Sequence, residues 1–115
     1  MFTEIYEHLK NNGFEVYSIG QHKGICSSPY LVIKENGINE IVGTSLNSEM
    51  VEIMIYYPIG SYSKIKEYKR LVLYSMKSIK GIRRIIESSP TIVDDDKKAY
   101  TTSFYYQKIR MKEGV

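Results

Sequence analysis

Apolar positions near the start of the chain follow the period of an amphipathic helix. They recur at i, i+3, i+4 and i+7, at Phe2, Ile5, Tyr6 and Leu9, and this spacing places side chains on one helical face. We expect Thr3 to cap the first turn with its hydroxyl. The helix should end at Asn11 and Asn12, with Gly13 in the left-handed conformation that commonly follows a helix.

A second, longer helix is predicted from Ser61 or Ser63, either of which could be its N-cap, to about Lys80, with Gly81 ending it. Its apolar face is expected to contain Ile65, Tyr68, Val72, Met76 and Ile79. Leu71 and Tyr74 are expected to widen that face.

Several stretches between and after these helices have the alternation or the β-branched content of strands. The predicted strands are Phe14–Ile19, Tyr30–Glu35, Ile38–Leu46, Met50–Tyr57, Thr91–Val93 and Ala99–Met111. Asn36-Gly37 is expected to form a tight hairpin turn, because this pair readily adopts positive φ. Met50–Tyr57 alternates, with Val51, Ile53, Ile55 and Tyr57 expected on one face, and Pro58 should end this strand because proline lacks the backbone donor. Residues 82–90 could be a short strand or irregular.

The order of these elements predicts the fold class. One helix, three or four strands, a second helix and two further strands indicate an α+β fold, in which helices flank a mostly antiparallel sheet. A chain of 115 residues is long enough for one core. We therefore expect a single α+β domain over residues 1–115, with about four to six strands and two helices.

Charge is divided unevenly along the chain. Between Ser61 and Arg84 there are eight basic residues and one acid, a net charge of +7, whereas the remainder has eight basic and twelve acidic residues, a net charge of −4. One surface should therefore be positive and another negative. This division suits head-to-tail assembly at least as well as nucleic-acid binding.

Composition adds two expectations. Eleven Tyr and no Trp favour contacts with other proteins, because Tyr offers a large apolar area with a polar tip. The first residues are acidic, no apolar run approaches the length that spans a bilayer, and the single Cys26 cannot form an internal disulfide. We expect a product of the cytosol that has no membrane partner.

Candidate chemistry is sparse. His22 and Cys26 could form a nucleophile and base, but no third orienting residue accompanies them. His8, His22 and Cys26 are too few for a structural zinc site, and the run Asp94-Asp95-Asp96 lacks the spacing of a calcium loop. Neither glycine-rich phosphate-binding motif is present. We expect no catalytic residues, metal, cofactor or small-molecule substrate.

The basic helix, residues 61–80, is the strongest functional feature. Three interpretations remain open for it: a solvated face, an assembly interface with an acidic neighbour, and a nucleic-acid contact.

Several strings resemble the small tail-terminator, or tail-completion, proteins of the neck in Gram-positive contractile prophages and in phage-tail-like particles of the PBSX type. The similar strings are Ile5-Tyr6-Glu7-His8-Leu9, the loop from Gly20-Gln21-His22-Lys23-Gly24 to Pro29-Tyr30, the strand Leu31-Val32-Ile33-Lys34, and the segment Pro90 to Ser103.

The resemblance implies a virion structural protein at the tail-to-neck junction, made in the bacterial cytoplasm. Its subunits would form a ring of six on the head-proximal end of the tail tube. The tube protein and neck or connector proteins would be its partners, and DNA would pass through the ring. Another neck component and a nucleic-acid-binding accessory protein are the alternatives. Interface residues are expected in three places. Two are segments that core packing does not explain: the loop with Gln21, His22 and Lys23, and the turn with Asp94, Asp95, Asp96, Lys97 and Lys98. The third is the basic helix, with Lys66, Lys69 and Arg70.

Overall fold

The computed structural model describes residues 1–60, 62–85 and 89–111. Over these residues the chain forms α1 (Phe2–Asn11), β1 (Val16–Ser18), β2 (Tyr30–Glu40), β3 (Leu46–Pro58), α2 (Tyr62–Met76), β4 (Arg83–Arg84), β5 (Ile92–Asp94) and β6 (Ala99–Met111). The predicted α+β fold, with two helices and a mostly antiparallel sheet of up to six strands, is confirmed.

The sheet has the strand order β1-β2-β3-β6-β4, and β5 pairs with the opposite end of β6. The β1–β2 pair is parallel, and the other pairs among the described residues are antiparallel. Ile53 lies at the centre, opposite Ile33 of β2 and Phe104 of β6. The two long neighbours β3 and β6 pair along their entire length, from Leu46 with Met111 to Pro58 with Ala99.

Both helices pack on one face of this sheet. The alternation predicted for β3 is confirmed, since Val51, Ile53 and Ile55 are fully buried in the main core. Ile5 and Leu9 of α1 and Ile65, Val72 and Met76 of α2 join the same core. Because side chains alternate along a strand, the intervening residues of β2, β3 and β6 lie on the opposite face, which neither helix covers.

The first helix ends as expected but begins differently. Gly13 has φ +89°, its N–H donates to the Lys10 carbonyl, and the Phe14 N–H donates to the Leu9 carbonyl, which is a Schellman motif. The Thr3 cap is wrong. The helix begins at Phe2 with Met1 at the N-cap position, and that cap makes no side-chain hydrogen bond.

The second helix is shorter than predicted. It ends at Met76 rather than near Lys80, and turns lead on to Gly81, which has φ +80°. Leu71 and Tyr74 were wrongly assigned to the apolar face, since they are 57% and 74% exposed. Because each residue turns ~100° about the helix axis, Leu71 and Tyr74 lie roughly 100° and 160° around that axis from Val72. They are therefore well outside the apolar stripe that faces the sheet. The proposed Ser61 cap lies outside the described residues.

The predicted turn at Asn36-Gly37 is also wrong. β2 continues through it to Glu40, and the register shifts between Glu35 and Ile38. Gly37, with φ +89°, therefore allows a bulge rather than a reversal. The chain reverses at residues 41–45, where the Ile41 N–H donates to the Leu46 carbonyl over 3.0 Å.

The remaining strands agree in part with expectation. β1 is shorter than the predicted Phe14–Ile19, β5 is displaced by one residue from Thr91–Val93, and β6 has the predicted bounds. Within residues 82–90, the two-residue strand β4 pairs with β6, and residues 86–88 of this stretch lie outside the described residues.

Candidate functional site

The loop between β1 and β2 lies across the sheet face that the helices leave open. Since β1 and β2 are parallel neighbours, the chain must return over the sheet between them. The His22 ring stacks on Tyr30 with 3.9 Å between ring centroids, and Tyr30 stacks on Tyr56 at 4.9 Å. We call His22, Tyr30 and Tyr56 the aromatic stack. It builds a second, smaller core with Cys26, Val32 and Ala99.

The contacts of Cys26 suit a packing role. The side chain is 3% exposed, and its thiol donates to the Ser28 carbonyl over 3.2 Å. Burial, aided by the charge of Glu15, raises the pKa of the thiol. His22 directs its ring face at Tyr30, and Cys26 packs in the same small core as Tyr30. No group of His, Cys, Asp and Glu within the described residues has the arrangement of a metal site.

The acidic turn, residues 94–98, joins β5 to β6. One carboxylate oxygen of Asp94 accepts the backbone N–H groups of Asp96 and Lys97, each over 3.1 Å, so Asp94 holds the turn in shape. Asp95 and Asp96 are exposed. Lys98 has φ +52°, and its carbonyl accepts the Ile59 N–H. The turn therefore presents two exposed carboxylates on a fixed backbone.

The structure brings the loop and the acidic turn together. The Cys26 N–H donates to the Lys97 carbonyl over 2.7 Å, and the Lys97 ammonium lies 5.8 Å from the centre of the Tyr56 ring. Gln21 and Lys23 are exposed, and the Gln21 amide oxygen accepts the Ser18 N–H. His22 is half-buried in the aromatic stack, so packing does explain this one loop residue.

The three expected interface residues of α2 lie with the helices, on the opposite face of the sheet. The Lys66 ammonium is 5.5 Å from the centre of the Tyr62 ring, and that of Lys69 is 5.8 Å from the centre of the Phe104 ring. Arg70 pairs with Glu67 over 3.2 Å, and both side chains are largely exposed. An exposed pair of this kind contributes little to stability. The expected residues thus form two groups on opposite faces.

A cleft of about 600 Å³ lies between the carboxyl-terminal half of α2 and β4. We call it the basic groove, and its lining residues are Arg70, Leu73, Tyr74, Met76, Lys77, Ile82, Arg84 and Tyr106. Three cations and no acid line it within the described residues. Burial raises the pKa of Tyr106 to about 12, an effect that the nearby Arg84 opposes.

Sequence reasoning missed most of this groove. Lys77 and Arg84 contributed to the charge count of residues 61–84 but were not singled out, and Tyr74 was assigned to the core. Tyr74 is instead 74% exposed and also lines a second cleft of about 550 Å³ beside residues 12–15. Exposed Tyr with Arg and apolar neighbours is typical of protein interfaces. The charge count was the available signal, but it could not locate a cleft.

Comparison with known proteins gives no further assignment: no protein-family model matches this chain, and no curated protein is significantly similar to it. Neither helix within the described residues combines the length and the apolar character needed to cross a bilayer.

Proposed function

We propose that this protein is a virion structural protein, a tail terminator that caps the head-proximal end of a phage tail tube as a ring of six subunits. In this role it also forms the surface that joins the tail to the neck. The setting comes from the resemblance of the amino-terminal helix, the loop of residues 20–30, the following strand and the segment 90–103 to such proteins.

One observation carries the assembly part of this proposal. Each subunit has two chemically opposite surfaces, the basic groove and the acidic turn, at separate positions along β6. The acidic turn precedes Ala99, and the groove contains Tyr106. At about 3.3 Å per residue these positions are ~23 Å apart. A ring needs two different complementary surfaces on every subunit, and the opposite charges of the groove and the turn support this proposal.

The proposal defines location and partners. The protein would be made in the bacterial cytoplasm and reside in the virion at the tail-to-neck junction. It would contact further copies of itself, the tail tube protein and neck or connector proteins, with DNA passing through the ring. Another neck component, such as a connector or stopper, has the same requirement for ring surfaces and is the nearest alternative.

A nucleic-acid-binding accessory protein is the alternative from a different class. The observation in its favour is the set of three cations that line the basic groove, since Lys and Arg provide phosphate contacts. Under this alternative, binding to duplex DNA should weaken steeply between 50 and 200 mM salt.

The test is negative-stain electron microscopy of particles from a producing strain, with the gene present, deleted, or deleted and restored from a plasmid. We expect deletion to give tails of uncontrolled length or tails that fail to join heads, and restoration to correct both. Normal tails joined to heads in the deletion strain would refute the terminator function and favour nucleic-acid binding.

A further inference from the structure

We propose that the acidic turn of one copy docks in the basic groove of the next copy. This inference rests on the proposed ring function and specifies the pair of surfaces that the ring would use. The occupant of the groove is thus a second copy of this chain, presenting Asp95 and Asp96.

The groove offers positive charge above an apolar floor. Arg70 is partly neutralised by Glu67, whereas Lys77 and Arg84 have no ion pair within the described part of the chain. Met76 and Tyr106 are buried beneath them. An occupant with carboxylates and adjoining apolar side chains would satisfy both features, because complementary charge sets register while apolar contact supplies affinity.

The acidic turn has both of the required features. Asp95 and Asp96 are exposed together with Lys98, whereas Lys97 is half-buried with its ammonium over the Tyr56 ring, so the exposed charge of the turn is negative. The β5 residues just before the turn, Ile92 and Val93, are 58% and 49% exposed. The Asp94 side chain already holds the backbone of the turn. Docking such a preformed turn costs less conformational entropy than ordering a flexible segment.

Geometry requires the contact to be between copies. The turn and the groove are ~23 Å apart along one strand, so they cannot meet within one chain. Because the two surfaces differ, copies joined head to tail leave a groove unused at one end of the assembly and an acidic turn unused at the other. Such a contact closes into a ring or continues as a filament.

Duplex DNA is the competing occupant. Its phosphates would use the three cations but would gain nothing from the apolar floor or from the exposed apolar residues beside the acidic turn. The apolar matching favours the protein occupant, and the experiments below separate the two.

The first experiment traps the contact in the purified full chain. Cysteines are introduced at both surfaces, as Asp96→Cys with Lys77→Cys, and the protein is oxidised with copper phenanthroline at high concentration. We expect a ladder of cross-linked species extending beyond the dimer. Asp96→Cys with Lys64→Cys is the matched control, since Lys64 is exposed on α2 but does not line the groove.

A ladder equally strong in the control, or no ladder in the test variant, would overturn the proposal. Products that stop at the dimer would overturn the head-to-tail arrangement. In a symmetric dimer the turn cysteine of each copy pairs with the groove cysteine of the other, so no cysteine is left to link a third copy. This readout needs no phage particle. If the ladder is missing but the deletion strain has aberrant tails, the docking contact is rejected and the terminator function stands. If the ladder forms but the tails are normal, the docking contact stands and the terminator function is rejected.

The second experiment reverses charge on each side. In the chain that carries Asp96→Cys with Lys77→Cys, Arg70→Glu with Arg84→Glu gives an acidic groove, and Asp95→Lys gives a basic turn. With like charges facing each other, cross-linking in the first assay should fall roughly tenfold or more. Reversing both sides in one chain should restore it, because the charges are again opposite.

Lys64→Glu and Glu7→Lys are matched single reversals at exposed positions that line neither surface, and they should leave cross-linking unchanged. Circular dichroism melts check that each variant is folded. Loss on both sides without rescue would overturn the proposal. If, in addition, the variant with the acidic groove loses the salt-dependent binding of labelled duplex DNA, the groove is assigned to nucleic acid.

Discussion

Replacing Tyr30 by Phe should stabilise the protein. Tyr30 is 1% exposed, and its hydroxyl oxygen is buried with no hydrogen-bond partner among the described residues. Leaving a buried polar group unpartnered costs about 1–3 kcal/mol. The substitution removes that cost and keeps the ring that stacks on His22 and Tyr56. We expect a gain near the lower limit, about 1 kcal/mol in the free energy of unfolding, because the missing oxygen also leaves a small void.

Tyr56→Phe is the matched control within the same aromatic stack. Its hydroxyl makes a hydrogen bond with Thr101, so its removal should lower the free energy of unfolding by about 0.5–1.5 kcal/mol. Urea unfolding followed by far-ultraviolet circular dichroism measures both changes, since the chain has no Trp. The melting temperature should rise by about 4 °C in one variant and fall in the other. A loss of stability in Tyr30→Phe as large as in Tyr56→Phe would refute the reasoning, because it would mean that the Tyr30 hydroxyl has a partner.

Three further predictions concern the core, alkaline pH and the thiol. Ile53→Ala, at a fully buried position, should lower the free energy of unfolding by about 2–5 kcal/mol in urea titrations, and Ile38→Ala, at a position 53% exposed, should change it far less. Burial raises the pKa of Tyr106 from 10.0 to about 12, so the folded chain keeps a proton that the unfolded chain releases. Stability should therefore fall from pH 10 to 12, by at most about 1.4 kcal/mol per pH unit for this group, and Tyr106→Phe should show a shallower fall in urea titrations at these pH values. Because burial raises the pKa of Cys26, iodoacetamide at pH 8 should label the folded chain much more slowly than the urea-unfolded chain, and equal labelling rates would contradict the buried position.

The candidate surfaces were predictable only in part. The net charge of +7 over residues 61–84 indicated a positive surface, and the Asp run indicated an exposed acidic turn. The groove itself was not predictable, because it forms where α2 ends at Met76 and the chain returns to pair β4 with β6. Neither event leaves a local pattern in the sequence.

The loop of residues 20–29 shows a different limit. His22 and Lys23 are neighbours with similar polarity in sequence, and both were expected at an interface. His22 instead stacks on Tyr30, whereas Lys23 is exposed. That difference depends on the loop crossing the open sheet face, which follows from the parallel β1–β2 pair. Strand direction is a property of chain connectivity, so hydrophobic alternation does not reveal it.

The sequence by itself determined the fold class, the bounds of β6, the core face of β3 and the glycine that ends α1, because each depends on local periodicity or on the backbone preference of one residue. Tertiary structure decided the rest. Pairing across β2 and β3 turned Asn36-Gly37 into a bulge, since a continuous ladder retains more hydrogen bonds than an early reversal would. Packing against the sheet buried Val72 and exposed Tyr74 on the same helix, because a helix covers a sheet with only one side.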